Sequence, residues 1–142
     1  LIPTIYGFRR AAGKAIVAGI VYDCAGESVY GATVRIADSS GAYIAEGDLS
    51  SDPHYRYFNG DSFPAADQSF THADGLYAVA NINTPETGGQ GIYVEVWGRP
   101  TEDAEEPVLI ACEESWIFAD SISMVNLEPL RSDGPACPGL SR

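Results

Sequence analysis

Strict two-residue alternation is the feature that most limits what this chain can fold into. In Ala32-Thr33-Val34-Arg35-Ile36 the apolar Ala32, Val34 and Ile36 occupy every second position, and between Gly91 and Trp97 the aliphatic Ile92, Val94 and Val96 oppose Tyr93, Glu95 and Trp97. A period of two sends alternate side chains to opposite faces of a pleated strand, and no convincing helical period competes with it. Further β-like runs at 15–23, 42–46, 68–72, 76–82, 108–118 and 121–127 are separated by turn signals such as Cys24-Ala25-Gly26-Glu27, Asp38-Ser39-Ser40-Gly41 and Ala73-Asp74-Gly75. The last of these reads as a hairpin joining 68–72 to 76–82, because Gly accepts the positive φ of a tight turn. Seven to nine such strands predict an all-β, antiparallel sandwich or barrel. The 142 residues suffice for a single domain with a core of its own. Its longest apolar run, 15–22, falls far short of the ~20 residues that a membrane helix needs.

Three regions are expected: an arm at 1–14, a β-sandwich at 15–130 with a long irregular insertion at 47–67, and a Pro/Gly-rich tail at 131–142. Charge divides along the same lines. The chain carries −12 overall, yet Arg9, Arg10 and Lys14 fall in the first fourteen residues, where there is no acid, so the arm is +3 and the remainder −15. A body this acidic repels phosphate backbones, which argues against a nucleic-acid partner. It suits solubility, divalent cations or a basic partner. The insertion mixes Asp48, Asp52, Asp61 and Asp67 with His54, Tyr55, Tyr57, Phe58 and Phe63. Its acids do not match the spacing of a calcium loop, so a packed aromatic insertion is the expectation.

The three cysteines form no C-x-x-C pair, which argues against a zinc site or covalent haem. Cys137 lies in the Pro/Gly-rich tail, which gains most from a tether. A Cys112–Cys137 disulfide is favoured, with Cys24–Cys137 next. A chain opening on Leu1 rather than Met fits a mature exported protein or a fragment, and the expected location is secreted, extracellular or at the cell surface.

The stretch from Gly19 to Val34, with Gly19, Val21 and Asp23 before a Gly26 turn and Gly31-Ala32 before Val34, resembles the opening of carboxypeptidase regulatory-like domains, which are transthyretin-like, Ig-like sandwiches. Thr71-His72-Ala73-Asp74-Gly75-Leu76-Tyr77 resembles the later hairpin of the same group, with His72 where an acid is common. The resemblance implies a non-catalytic accessory, adhesive or assembly module. Intradiol dioxygenases share the broad fold, but their iron takes two Tyr and two His. Here only His54 and His72 are present, and no H-x-H pair occurs.

No G-x-S-x-G, phosphate loop or paired acid/base carboxylates on one strand face are present, so neither an enzyme nor a cofactor is expected. Tyr93 and Trp97 share the face opposite the Ile92 set. They form a contact or sugar-stacking surface unless a loop or the arm covers them. Trp116, near Phe118, is expected in the core. The apolar, basic arm, with Leu1, Ile2, Ile5, Tyr6, Phe8, Arg9 and Arg10, suits docking on its own domain or on the acidic body of the next copy. The leading expectation is therefore an exported, non-catalytic structural subunit that self-associates, extending to a filament. The alternative is a carbohydrate- or surface-binding accessory module with a glycan partner.

Overall fold

The computed structural model describes residues 11–61, 63–65, 67–99, 103, 105–129 and 137–141. Eight strands follow in order: β1 Ala15–Ile20, β2 Thr33–Asp38, β3 His54–Phe58, β4 Pro64–Ala65, β5 Leu76–Ile82, β6 Gly89–Gly98, β7 Val108–Phe118 and β8 Ile122–Met124. A single 3-10 turn, Pro138–Ser141, ends the described chain. The strands form a five-stranded sheet ordered β4-β3-β5-β1-β8 and a three-stranded sheet ordered β2-β6-β7. This is the expected all-β sandwich, and its strand count lies in the expected range.

Alternation builds the core. Val34, Ile36, Ile92, Val94, Val96 and Ile117 from the smaller sheet join Val17, Tyr77, Val79, Val125 and Leu127 in one buried cluster. Each aliphatic side chain fully withdrawn from water contributes roughly 1.5–3 kcal/mol, so this interlayer is the main stabilising element. The turns are built by aspartates. Asp23 Oδ1 accepts the Ala25 and Glu27 amides, each at 2.9 Å. Asp38 Oδ1 accepts the Ser40 amide at 2.9 Å, the Ala42 amide at 3.1 Å and the Ser40 hydroxyl at 2.6 Å. The Ser40 hydroxyl is the main cause of the lowered pKa of Asp38.

Four sequence expectations are corrected. The segment 68–72 forms no strand and no hairpin with β5; instead β5 pairs with β1 and β3. The turn itself is present, with Gly75 at φ 68° and its amide donating to His72 O at 2.8 Å. The preceding segment is drawn instead to residues 29–32, just before β2. Thr71 exchanges backbone bonds with Ala32 and Gly31, and its hydroxyl both donates to Val29 O and accepts the Ala32 amide. Second, 47–67 is not irregular throughout, because it supplies β3 and β4 to the larger sheet. Third, 42–46 forms no strand and makes only a bridge at Tyr43 with Ala37. Fourth, the sandwich is not wholly antiparallel, since β8 runs parallel to β1. After β7 the chain turns at Ala119-Asp120, changes sheets and returns along β1 in the same direction.

Candidate interaction surface

The edges of the two sheets decide what this molecule can add to itself, because an unpaired row of amides and carbonyls is a template for another strand. The edge of β2 is closed. Tyr55 and Tyr57 lie two apart on β3 and therefore reach inward on the same face. The Tyr57 hydroxyl accepts the Val34 amide at 2.8 Å, and the Tyr55 hydroxyl accepts the Ile36 amide at 3.2 Å while donating to Ile44 O at 2.6 Å. Thr71 caps Ala32 and the Ala42 carbonyl caps the Asp38 amide, completing the row. Burial pushes the Tyr55 hydroxyl up to about 12 and raises that of Tyr57. The expected aromatic packing of the insertion is thus an edge cap.

The opposite end of the larger sheet is blunted differently: β4 has two residues, one of them Pro64, which lacks an amide donor. The β7 edge is crossed by the chain, with a bridge between Ala111 and Pro129 and the Ser123 hydroxyl donating to Trp116 O at 2.8 Å. At β8 the pattern differs. Bonds from Val125 N to Ala18 O, from Leu127 N to Ile20 O and from Ile16 N to Ser121 O turn the odd-numbered residues toward β1. Alternation then aims the amides and carbonyls of Ile122 and Met124 outward. Among the described residues no strand lies beyond them.

Large apolar side chains are exposed on two separate faces here, Ile122 and Met124 on the outside of the larger sheet and Trp116 and Phe118 on the outside of the smaller one. Trp116 is 61% exposed, Phe118 46%, Ile122 53% and Met124 71%. The expected core position of Trp116 is therefore corrected. It shares the outer face of β7 with Phe118, whereas Ile117 between them points into the core. Glycines on β6 receive the two rings: Gly91 is the cross-strand partner of Trp116 and Gly89 that of Phe118. A methyl on Gly89 would sit 2.6 Å from Phe118 Cε1, so the absence of a side chain there makes room for the ring.

On the outer face of β6, Tyr93 and Trp97 are both half-buried. The Cys112–Cys137 disulfide, the expected pairing, holds the tail over this sheet, with Cα atoms 6.3 Å apart. Buried Glu95 binds the tail in place. It accepts the Tyr43 hydroxyl at 2.6 Å, the Trp97 indole N–H at 3.1 Å and the Gly139 amide at 2.6 Å. Arg35 stands over the Trp97 ring, 5.3 Å from its centroid, and a methyl on Gly139 would meet the ring edge at 2.6 Å. The rest of the Trp97 side chain lines an open cleft with Tyr30, Phe70 and Arg99. A cleft of about 430 Å³ opens beside Arg35, Tyr43, Glu46, Arg56 and Gln68. Its charges engage one another, with Arg56 Nη1 3.4 Å from Glu46 Oε1.

His54 Nε2 lies 3.0 Å from Leu49 O, and the His72 ring packs edge-on against Tyr30. With the Tyr55 and Tyr57 hydroxyls bonded to β2, these four side chains form no iron-like constellation. Among the described residues no three His, Cys, Asp or Glu side chains gather as a metal site. Cys24 is an exposed free thiol in the first Asp turn. The arm residues Leu1, Ile2, Ile5, Tyr6, Phe8, Arg9 and Arg10 lie outside the described residues. Sequence reasoning missed the β8 edge, although the alternation through Trp116-Ile117-Phe118 already contained the outward pair.

Residues 8–89, more than half of the chain, match the model of the family described as Protein of unknown function (DUF1416). The chain belongs to the DUF1416 family. The matched stretch contains both segments that resemble carboxypeptidase regulatory-like domains, and it ends at the start of β6. In this DUF1416 member the β7–β8 edge and the disulfide-held tail therefore lie beyond the family segment. No curated protein matches the chain in sequence. Among solved structures it is similar to phospholipase PlaB from Legionella pneumophila at 13% identity and a TM-score of 0.41, over 89% of this chain and 29% of that one. The chain thus spans under a third of that protein's length, and a likeness of this size transfers neither fold nor activity.

Proposed function

We propose that this DUF1416 chain is an exported, non-catalytic structural subunit that self-associates through its N-terminal segment, extending to an extracellular filament. The observation that carries the reading is the segregation of charge: an apolar, acid-free segment with Arg9 and Arg10 precedes a strongly acidic body. The Cys112–Cys137 disulfide supports an oxidising compartment. Thr71, Asp74, Gly75 and Tyr77 support kinship with the transthyretin-like sandwiches of carboxypeptidase regulatory-like domains, because each fixes the turn into β5 or its flanks to the rest of the fold. Asp74 Oδ1 accepts the Leu76 amide, and the Tyr77 hydroxyl donates to Val125 O. The alternative, a carbohydrate- or surface-binding accessory module, would use half-buried Tyr93 and Trp97.

Sedimentation velocity tests the proposal. The full chain is expected to sediment as oligomers that grow with concentration, and a chain lacking residues 1–10 as a monomer. Raising NaCl to 0.5 M should shrink the oligomers, because screening shortens the reach of the charge term. A full chain that stays at monomer mass overturns the proposal.

A further inference from the structure

We infer that the two clefts flanking β2 form one site for a short acidic oligosaccharide, with a uronate carboxylate on Arg35 and the adjoining sugar ring against Trp97 and Tyr30. This inference rests on the carbohydrate-binding alternative, whose ligand class it names, and is independent of self-association. The clefts adjoin along β2. Residues 31–33 and Phe70 line the larger, of about 630 Å³, while Val34, Arg35 and Ser69 line the smaller. Both lie in the size range of small-molecule sites.

Charge singles these clefts out. The chain carries −12, yet three of the four basic residues described, Arg35, Arg56 and Arg99, line them, against one described acid, Glu46. Glu46 pairs with Arg56. Among the described residues no acid stands within ion-pair distance of Arg35 or Arg99. Arg35 lies across from Glu95 in the β2–β6 register, but the Glu95 oxygens are held by Tyr43, Trp97 and Gly139. The Arg35 guanidinium instead stands over two rings, 5.5 Å from the Tyr43 centroid and 5.3 Å from that of Trp97. Stacking fixes the plane of this exposed guanidinium and leaves its edge N–H groups, the paired donors that a carboxylate accepts best.

The larger cleft supplies the surface for a sugar ring. Val29 and Ile110, packed on the core, line it together with Tyr30, Phe70 and Trp97. Tyr30 is 61% exposed, yet Phe70 and His72 hold it edge-on with centroids 5.4 Å and 5.5 Å away. Trp97 is fixed through its indole N–H and by the tail. Rings ordered before a ligand arrives lose little freedom on binding, and their apolar faces suit the C–H face of a pyranose. Glu105 and Glu106 adjoin Pro107, which shares this cleft with Arg99. The carboxylate is therefore assigned to Arg35, and sugar hydroxyls to Arg99.

Other polyanions fit less well. An extended acidic peptide adds to a sheet through a row of backbone groups, and here Thr71, Tyr57, Tyr55 and the Ala42 carbonyl already take the edge amides of residues 32–38. A nucleic acid runs beyond the clefts on to the faces of an acidic protein, whereas a short sugar keeps its charge within them.

Isothermal titration of the full chain with trigalacturonate, trimannuronate and a hyaluronan tetrasaccharide tests the assignment. At least one is expected to bind with a Kd of about 1 mM or tighter, and its carboxyl methyl ester roughly ten-fold more weakly. Arg35→Gln should weaken the acid roughly ten-fold and leave the ester unchanged, because only the charge pairing is lost. Tyr30→Ala should weaken both, and Met124→Gln, exposed on the larger sheet, neither. In a Trp116→Phe background the sugar should alter Trp97 emission. An ester that binds as tightly as the acid, or an Arg35→Gln chain with full affinity, overturns the acidic site while carbohydrate binding stands. Hexaglutamate or trithymidylate binding as tightly as the best saccharide overturns the sugar assignment. Absence of binding by every saccharide at about 10 mM overturns the site and the carbohydrate reading together.

Discussion

Glu95 shows how much a single residue can decide. A carboxylate withdrawn from water is costly unless donors replace its solvation. Here three do, two at one oxygen from Tyr43 and Trp97 and one at the other from Gly139. Glu95→Gln places an amide NH₂ where a carboxylate oxygen now accepts, so at least one donor faces another donor. The expected loss is about 1–3 kcal/mol of stability, read as a lowered urea midpoint. An unchanged midpoint would show that the three contacts contribute nothing. The residue also marks a limit of reading from pattern. The alternation Ile92-Tyr93-Val94-Glu95-Val96 correctly set Glu95 on the outer face, but the tail that covers that face arrives from more than forty positions later. No local period contains such a contact.

The tyrosine pair of β3 carries the argument at the level of the element. His54-Tyr55-Arg56-Tyr57-Phe58 lacks the aliphatic alternation of the other strands and sits among Asp, Gly and Pro, which is why 47–67 reads as a loop. Its periodicity lies in hydroxyls rather than methyls: Tyr55 and Tyr57 face inward to bond the β2 edge, while Arg56 between them pairs with Glu46. Burial raises the pKa of Tyr55, Tyr57 and Tyr77 above the ordinary value near 10. The folded state therefore keeps protons that the unfolded state releases. The stability tied to these groups is fully present below about pH 10 and is lost as pH rises toward the folded value, about 12 for Tyr55. Urea midpoints should be flat from pH 8 to 9.5 and fall steeply above pH 10, with tyrosinate absorbance rising together with unfolding. Tyr57→Phe should flatten part of that decline. Tyrosinate appearing at pH 10 in a still-folded protein would contradict the burial argument.

At the scale of the whole molecule, the strand pattern, the interlayer core and the disulfide partner were all legible, because each follows from alternation or from which segment most needs a tether. Sheet membership was less so. Whether 68–72 pairs with β5 or is captured by the residues just before β2 depends on Thr71 meeting Val29 and Ala32, a contact between distant segments that short-range turn chemistry cannot rank. Trp116, expected in the core beside Phe118, faces outward because its neighbour Ile117 takes the inward position. The tail joins these threads. Cys112 and Cys137 stand 25 residues apart, and closing a loop of that length restricts the unfolded chain by about 3 kcal/mol. The same bond holds Gly139 against Glu95 and Trp97, so its effect should exceed loop closure alone. Substituting both cysteines by serine in a Trp116→Phe background, which leaves Trp97 as the reporter, should lower the urea midpoint by that amount or more and shift the emission to longer wavelength as the indole meets water. If the midpoint falls but the emission stays, the tail remains seated through Glu95 without its covalent tether. If neither changes, the disulfide does not hold the cover over the outer sheet.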